Sequence, residues 1–308
     1  MSEKAISMEN KTTLQKLVGF LIDLKFLLKG KVLVANVMPV FTGFWLALYF
    51  SELKLVDYWE LLIITMVGST LVISGALIIN NWYEVDLDRE MKRTQMRPTV
   101  TGHFSMKSVL WSGIICVLIG FGLMAMTTLE AFVYSFLGWF VYVVLYTFWS
   151  KRRYTLNTLI GSVSGAFTPL IGWAAIDSAY HIVPIVLFGI LLIWQVPHTL
   201  VITVKRLDEY RAAGVPMLPV VCGVDVAKRQ TLIYIICLLP FPFVLAPLLG
   251  WGLVVIATLL NIVWIVLAAK GFKTNNDYKW AQVNLIYSLN YLFILSIVMM
   301  VLTSEILG

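Results

Sequence analysis

Apolar stretches of roughly 20 residues alternate with polar segments along this chain. A helix of that length crosses the ~30 Å hydrocarbon core of a bilayer. Nine such stretches are legible, at about 32–50, 60–79, 108–126, 129–149, 156–176, 182–203, 231–249, 251–269 and 281–303. Inside hydrocarbon, backbone polar groups must be satisfied within the spanning segments, which selects helices over open strands. The pattern predicts an all-α, polytopic membrane protein with about nine transmembrane helices. Residues 31–305 read as one transmembrane domain behind a lead-in over 1–30, with no linker long enough to divide it.

Charge then fixes an orientation. Only 13% of the 308 residues are charged, against about 25% in a soluble domain. Of the 23 Lys and Arg residues, 22 lie in five segments: Lys4 to Lys31, 80–107, 151–153, 204–229 and 270–279. Lys54 alone lies elsewhere. The positive-inside rule makes these segments, and the N-terminus, cytoplasmic. The two longest charged loops, after the second and sixth spans, then share the cytoplasmic face of a cell membrane. The opposite connections carry Glu52, Asp57, Glu60, Glu130 and Asp177. The net charge of +6 reads as topology and contact with anionic lipid. It does not point to nucleic acid, because no basic arm extends from a soluble domain. Residues 1–30 lack the ordered features of a cleaved signal and read as a retained lead-in, helical and amphipathic in part. Cys116, Cys222 and Cys237 form no CxxC pair and support neither a disulfide framework nor a zinc site.

The chemistry concentrates after the second span. Asn80, Glu84 and Asp88 are spaced i, i+4, i+8, so a helix continuing past the apolar run projects all three from nearly one face. Asp86 points elsewhere. Mg²⁺ takes one or two carboxylates and completes its shell with water and phosphate. Arg93 and Arg97 follow, again four apart, and guanidinium forks suit phosphate oxygens. The row reads as a Mg-diphosphate site. A solvated juxtamembrane loop with pairs such as Asp88 to Lys92 is the plainer account. Against it, the row begins at Asn80-Asn81, hard against Ile78-Ile79, where polar groups are costly unless used.

The sixth span ends in Trp194-Gln195-Val196-Pro197-His198, and Pro197 is expected to break or bend the helix there. His198 could bind a metal, ligate haem iron, move a proton or cap a helix. Asp208 is expected to face the first loop and share its cation. Lys205, Arg206 and Lys151-Arg152-Arg153 either hold phosphate or mark the membrane boundary. His103 and His181 read as structural. Pro98 and Pro216 close similar polar stretches 118 residues apart, a weak sign of an internal repeat.

These residues resemble the UbiA superfamily of intramembrane prenyltransferases, and within it the protohaem IX farnesyltransferase (haem O synthase) branch. The resemblance covers about 30–303. It rests on Asn80, Glu84 and Asp88, on Asp86-Leu87-Asp88 with Met91, Arg93-Thr94 and Arg97-Pro98, and on Tyr146 with Lys151-Arg152. Trp194-Gln195, Pro197-His198, Asp208, Tyr210-Arg211-Ala212-Ala213 and Pro216-Met217-Leu218-Pro219-Val220 are similar to the haem branch in particular. Glu84 departs from the commoner Asp, and a second Asp-rich motif is not intact, with His198, Lys205 and Asp208 in its place.

The resemblance implies a Mg²⁺-dependent transferase that moves a farnesyl group from farnesyl diphosphate to a vinyl group of haem B, giving haem O for cytochrome oxidase cofactor synthesis. It implies Asn80, Glu84, Asp88 and Asp208 around the metal. Arg93, Arg97, Lys151, Arg152, Lys205 and Arg206 would bind diphosphate, and His198 would meet haem. It also implies a downstream haem A synthase as partner. An aromatic quinone precursor as acceptor is the alternative enzyme reading. A transporter would put charges at the bilayer midplane, whereas here they gather at one boundary.

Overall fold

The computed structural model describes residues 13–307, and every regular element among them is helical. The ten main helices are α1 (Thr13–Leu27), α2 (Gly30–Phe50), α3 (Trp59–Tyr83), α4 (Met106–Ala125), α5 (Leu129–Phe140), α6 (Asn157–Ala174), α7 (Ile182–Lys205), α8 (Val224–Cys237), α9 (Phe241–Ala269) and α10 (Asp277–Leu302). Side-chain N-caps start several of them. Ser105 accepts from the Ser108 amide at 3.1 Å. Thr128 accepts from Ala131 at 3.0 Å and Asn276 from Lys279 at 2.9 Å. Each cap satisfies an amide that has no intrahelical partner.

Among the described residues, seven segments are long and apolar enough to cross a membrane, two fewer than the nine expected. Two of the expected spans, 231–249 and 251–269, fall within one apolar run, Val224–Lys273, interrupted at Gly250 with φ 80°. A positive φ is open to glycine at little cost. The expected span over 156–176 is α6, which is not among the seven. The reason is its place in the bundle. It packs between α2, α5 and α7, and its buried face includes Ser162, Gly165 and Thr168. Small residues let it approach α2 closely. A Cβ on Gly43 would stand 2.1 Å from the Pro169 carbonyl oxygen, and one on Gly172 1.9 Å from that of Val40. Tight contact of this kind holds helices together where lipid is as apolar as leucine. Pro197 lies inside α7, which runs from Ile182 to Lys205 without a break, so of the two expected outcomes the break does not occur. Packed membrane helices tolerate an internal proline because neighbouring groups re-satisfy the freed backbone.

The basic segments meet at one end of the bundle. Lys29 bonds Asn80, and Lys151 pairs with Glu84. Tyr210 borders a pocket beside Arg93. Lys205 sits over the Tyr278 ring at 5.6 Å, and Lys228 pairs with Asp277 at 2.6 Å. At the far end, Glu130 accepts from the Ala179 amide at 2.9 Å. Outward faces carry exposed Val255, Leu259, Ile262 and Val263 on α9, as a lipid-facing surface requires. Cys116, Cys222 and Cys237 are free thiols. His181 caps α7, accepting from the Val183 amide at 3.3 Å, and stacks on Trp173 at 5.0 Å.

Candidate active site

Asn80 lies in the last turn of α3. The chain then passes through Glu84 (φ −99°, ψ 17°) into a short helix, Val85–Glu90. Backbone bonds from Glu84 N to Asn80 O (3.0 Å) and from Asp88 N to Glu84 O (2.9 Å) carry the i, i+4 rhythm across the junction. Asn80, Glu84 and Asp88 are all buried, with relative exposures of 1%, 3% and 3%. Asp86 turns outward, as expected, and takes both terminal nitrogens of Arg152 at 2.7 Å. Thr94 locks the turn that follows, its hydroxyl donating to Asp88 O at 2.8 Å.

Each member of the buried row is held by a cation of the chain. Lys29 donates to Asn80 Oδ1. Lys151 pairs with Glu84 Oε2 at 2.5 Å, and Arg97 with Asp88. The plainer pair of Asp88 with Lys92 does not form; Asp88 takes Arg97 instead. Asn80 Nδ2 donates to Thr147 Oγ1 at 2.9 Å, which fixes the amide with its oxygen toward Lys29.

Burial alone would push the Glu84 carboxyl up, but Lys151 and Lys29 outweigh it and hold it below the usual range. Burial would lower the Lys151 ammonium, and Glu84 more than offsets this, so Lys151 is raised. Lys29 is driven well down, by burial first and then by the Arg97 charge. The Glu84 Oε1 atom is buried and has no partner. A lone pair sealed in this way is costly unless a ligand takes it. With Asn80 and Asp88 beside it, the donor set fits Mg²⁺.

Two cavities meet here. The smaller, of about 40 Å³, is lined by Lys29, Glu84, Asp88, Arg93, Arg97, Lys151 and Tyr210. The larger, of about 420 Å³, runs among Val72, Ile73, Ala76, Leu77, Trp139, Leu191, Leu289 and Leu292, with His198 on its wall. Arg93 and Tyr210 border both. A polar chamber thus heads an apolar one.

Lys151 owes its place to a wide helical stretch. After α5 the chain forms a π-helix over Val141–Ser150. Its i to i+5 pattern ends with Lys151 N bonding Tyr146 O at 2.9 Å. Such stretches are rare and favour functional sites.

Four expected site residues lie apart from this cluster. The Asp208 side chain is 94% exposed and bonds Arg211 at 3.1 Å, three positions on. It therefore does not share a cation with Glu84 and Asp88, and among the described residues no group of three or more His, Cys, Asp or Glu could hold a metal. Arg206 is taken by Glu209 at 2.8 Å and Lys205 by the Tyr278 ring. Arg152 is taken by Asp86. In each case a nearer partner wins.

Two residues at the site were not singled out by sequence. Lys29 sits among six lysines over 4–31 with no distinguishing spacing. It is carried in because α1 docks on the site: Asn81 Nδ2 donates to Leu27 O at 2.5 Å, and His103 pairs with Asp23 at 2.9 Å. Tyr210 appeared only within a motif, without a role.

Comparison with known proteins agrees with this architecture. The chain is 52% identical to "Protoheme IX farnesyltransferase" of Oceanobacillus iheyensis, over 91% of this chain and 90% of that one. It is 48% identical to "Protoheme IX farnesyltransferase 2" of Bacillus subtilis, over 91% and 92%. Its fold superposes on a digeranylgeranylglyceryl phosphate synthase with a TM-score of 0.73 at 16% identity, covering 92% of this chain and 99% of the other. It superposes on a UbiA homolog from Archaeoglobus fulgidus bound to GPP and Mg²⁺ with a TM-score of 0.68 at 13% identity, covering 89% and 99%. The profile of the UbiA prenyltransferase family matches residues 36–297. A helical bundle with a cation-lined chamber above an apolar cavity, together with these matches, places the chain in the UbiA prenyltransferase family.

Proposed function

We propose that this chain transfers a farnesyl group from farnesyl diphosphate to a vinyl group of haem B (protohaem IX), giving haem O. The adjacency of a polar cavity and an apolar one, both bordered by Arg93 and Tyr210, carries the reading. It matches an amphiphile whose head is a diphosphate and whose tail is apolar. The names of the relatives supply the farnesyl donor and the haem acceptor.

Asn80, Glu84 and Asp88 would hold Mg²⁺. When bound, Mg²⁺ neutralises diphosphate charge and makes it a better leaving group. Lys29, Arg93, Arg97 and Lys151 grip phosphate oxygens and meet the charge that develops as the allylic C–O bond breaks. Four cations face two carboxylates in this chamber, so the protein itself supplies excess positive charge for the head group. The apolar walls hold the farnesyl chain and keep water from the allylic cation. The terminal vinyl carbon attacks that cation, forming the new C–C bond. The carbocation left beside the porphyrin takes up water, which loses a proton to give a hydroxyethylfarnesyl group. His198, on the same wall, meets the acceptor.

The basic end of the bundle faces the cytoplasm of the cell membrane, and the product passes to a haem A synthase. The test is direct. Membranes containing the protein are incubated with haem B and farnesyl diphosphate, with Mg²⁺ or with EDTA, and extracted haem is weighed by mass spectrometry. A Mg²⁺-dependent species heavier by farnesyl plus water is expected; its absence from folded protein would overturn the reading.

A further inference from the structure

His198 is held by an arrangement on α10 that no diphosphate chemistry explains. Its ring lies flat on Trp194 one turn earlier, with centroids 4.7 Å apart and planes 16° apart. The Trp194 indole N–H donates to the Ser288 carbonyl at 2.9 Å. His198 Nδ1 stands 2.8 Å from Ser288 Oγ. Ser288 is fully buried, and its hydroxyl donates to Leu285 O at 2.8 Å, three residues back.

A serine hydroxyl has one hydrogen. With that hydrogen on Leu285 O, Ser288 Oγ can only accept from His198. The proton must then sit on Nδ1, and Nε2 carries a lone pair. Among the described residues no protein group bonds Nε2, and His198 is only half-buried because it lines the large cavity. Neutral imidazole with Nδ1–H donated to a fixed acceptor is the form in which histidine binds iron.

We propose that Ser288 is a positioning residue. It fixes the tautomer and ring plane of His198 so that Nε2 is presented as an axial ligand to the iron of the haem substrate. The two rings of Trp194 and His198, locked to α10 by two bonds to one serine, then set where the porphyrin sits in the cavity. The proposal rests on haem as acceptor.

The experiment titrates ferric haem B into detergent-solubilised protein by absorbance. It then records the Fe–histidine stretch of the ferrous complex by resonance Raman. Wild type is compared with His198→Ala, Ser288→Ala and Ser288→Thr. The expected results are loss of the histidine-ligated spectrum in His198→Ala, and retained ligation in Ser288→Ala with haem bound roughly 10–100-fold more weakly. The Ser288→Ala stretch should move to lower frequency. Ser288→Thr, which keeps the hydroxyl, should restore affinity and frequency, and it keeps the question open to decision if the alanine variant fails to fold. An unchanged haem spectrum in His198→Ala overturns the proposal, as does a Ser288→Ala complex with wild-type affinity and frequency. Product analysis on the same wild-type preparation separates the two readings. Farnesylated haem without histidine ligation sinks only the axial role. Histidine ligation without product sinks only the transfer.

Discussion

At the scale of single residues, partner choice decides which charges do chemistry. Lys29 and Arg152 are both basic residues near the Asn80 row, but Lys29 bonds Asn80 inside the chamber while Arg152 takes Asp86 on the surface. A charge-assisted bond contributes about 1.5–3 kcal/mol, and about 1.4 kcal/mol is tenfold in affinity. Lys29→Met should therefore weaken farnesyl diphosphate binding by about tenfold or more. Arg152→Met should change it by no more than about twofold, because exposed ion pairs contribute little. Equilibrium binding of radiolabelled farnesyl diphosphate to both variants checks the contrast. Equal losses would place Arg152 in the chamber. Sequence spacing made Asn80, Glu84 and Asp88 legible, since i, i+4, i+8 is a property of the helix itself. It could not choose among 23 cations, because a lysine's partner depends on which helices become neighbours.

At the scale of elements, the two charged loops fold alike. Each forms two short helices, Val85–Glu90 with Pro98–Thr101 and Leu207–Ala212 with Leu218–Cys222. Pro98 is the first residue of one of these second helices and Pro219 the second residue of the other. The wide stretch Val141–Ser150 was not legible, because Val-Tyr-Val-Val-Leu-Tyr-Thr-Phe-Trp-Ser is as apolar in one helical pitch as in another. Its effect is to carry Lys151 round to Glu84 and Thr147 to Asn80. Deleting Val144 removes one residue from the wide stretch, returns the segment toward an ordinary helix and so changes where Thr147 and Lys151 stand against Asn80 and Glu84. We expect a full-length, membrane-inserted protein that no longer makes product and no longer binds farnesyl diphosphate with Mg²⁺. Retained activity would show that Lys151 reaches Glu84 by another route. Within the lead-in over 1–30, α1 packs through Leu27 and Asp23 onto the site. Residues 1–12 lie outside those described.

At the scale of the whole molecule, the alternation of apolar and basic segments gave the fold class and the gathering of charge at one end. The central α6 is shielded by its neighbours and does not need to be as apolar as a helix in lipid, which is why hydropathy alone passes over it. Orientation can be read chemically. Cys222 is exposed at the basic end, just before α8. In a Cys116→Ala, Cys237→Ala background, a membrane-impermeant maleimide should label Cys222 in inside-out vesicles and leave it unlabelled in right-side-out cells. The reverse pattern would invert the proposed topology.

The three internal ion and hydrogen-bond partners of the Asn80 row have one further consequence, which is thermodynamic linkage. Lys29, Lys151 and Arg97 already occupy the groups that would hold the metal. Mg²⁺ arriving alone would strand these cations beside another cation. Diphosphate arriving alone would have to draw them from their carboxylates. Arriving together, each ligand accepts what the other releases, so each should tighten the other by the same factor, as reciprocity of binding free energies demands. Titration of farnesyl diphosphate at several Mg²⁺ concentrations, and of Mg²⁺ at several farnesyl diphosphate concentrations, should return one shared coupling constant greater than unity. In the absence of either ligand, the protein's own lysines and arginine serve as the counter-ions that keep a buried acidic row folded.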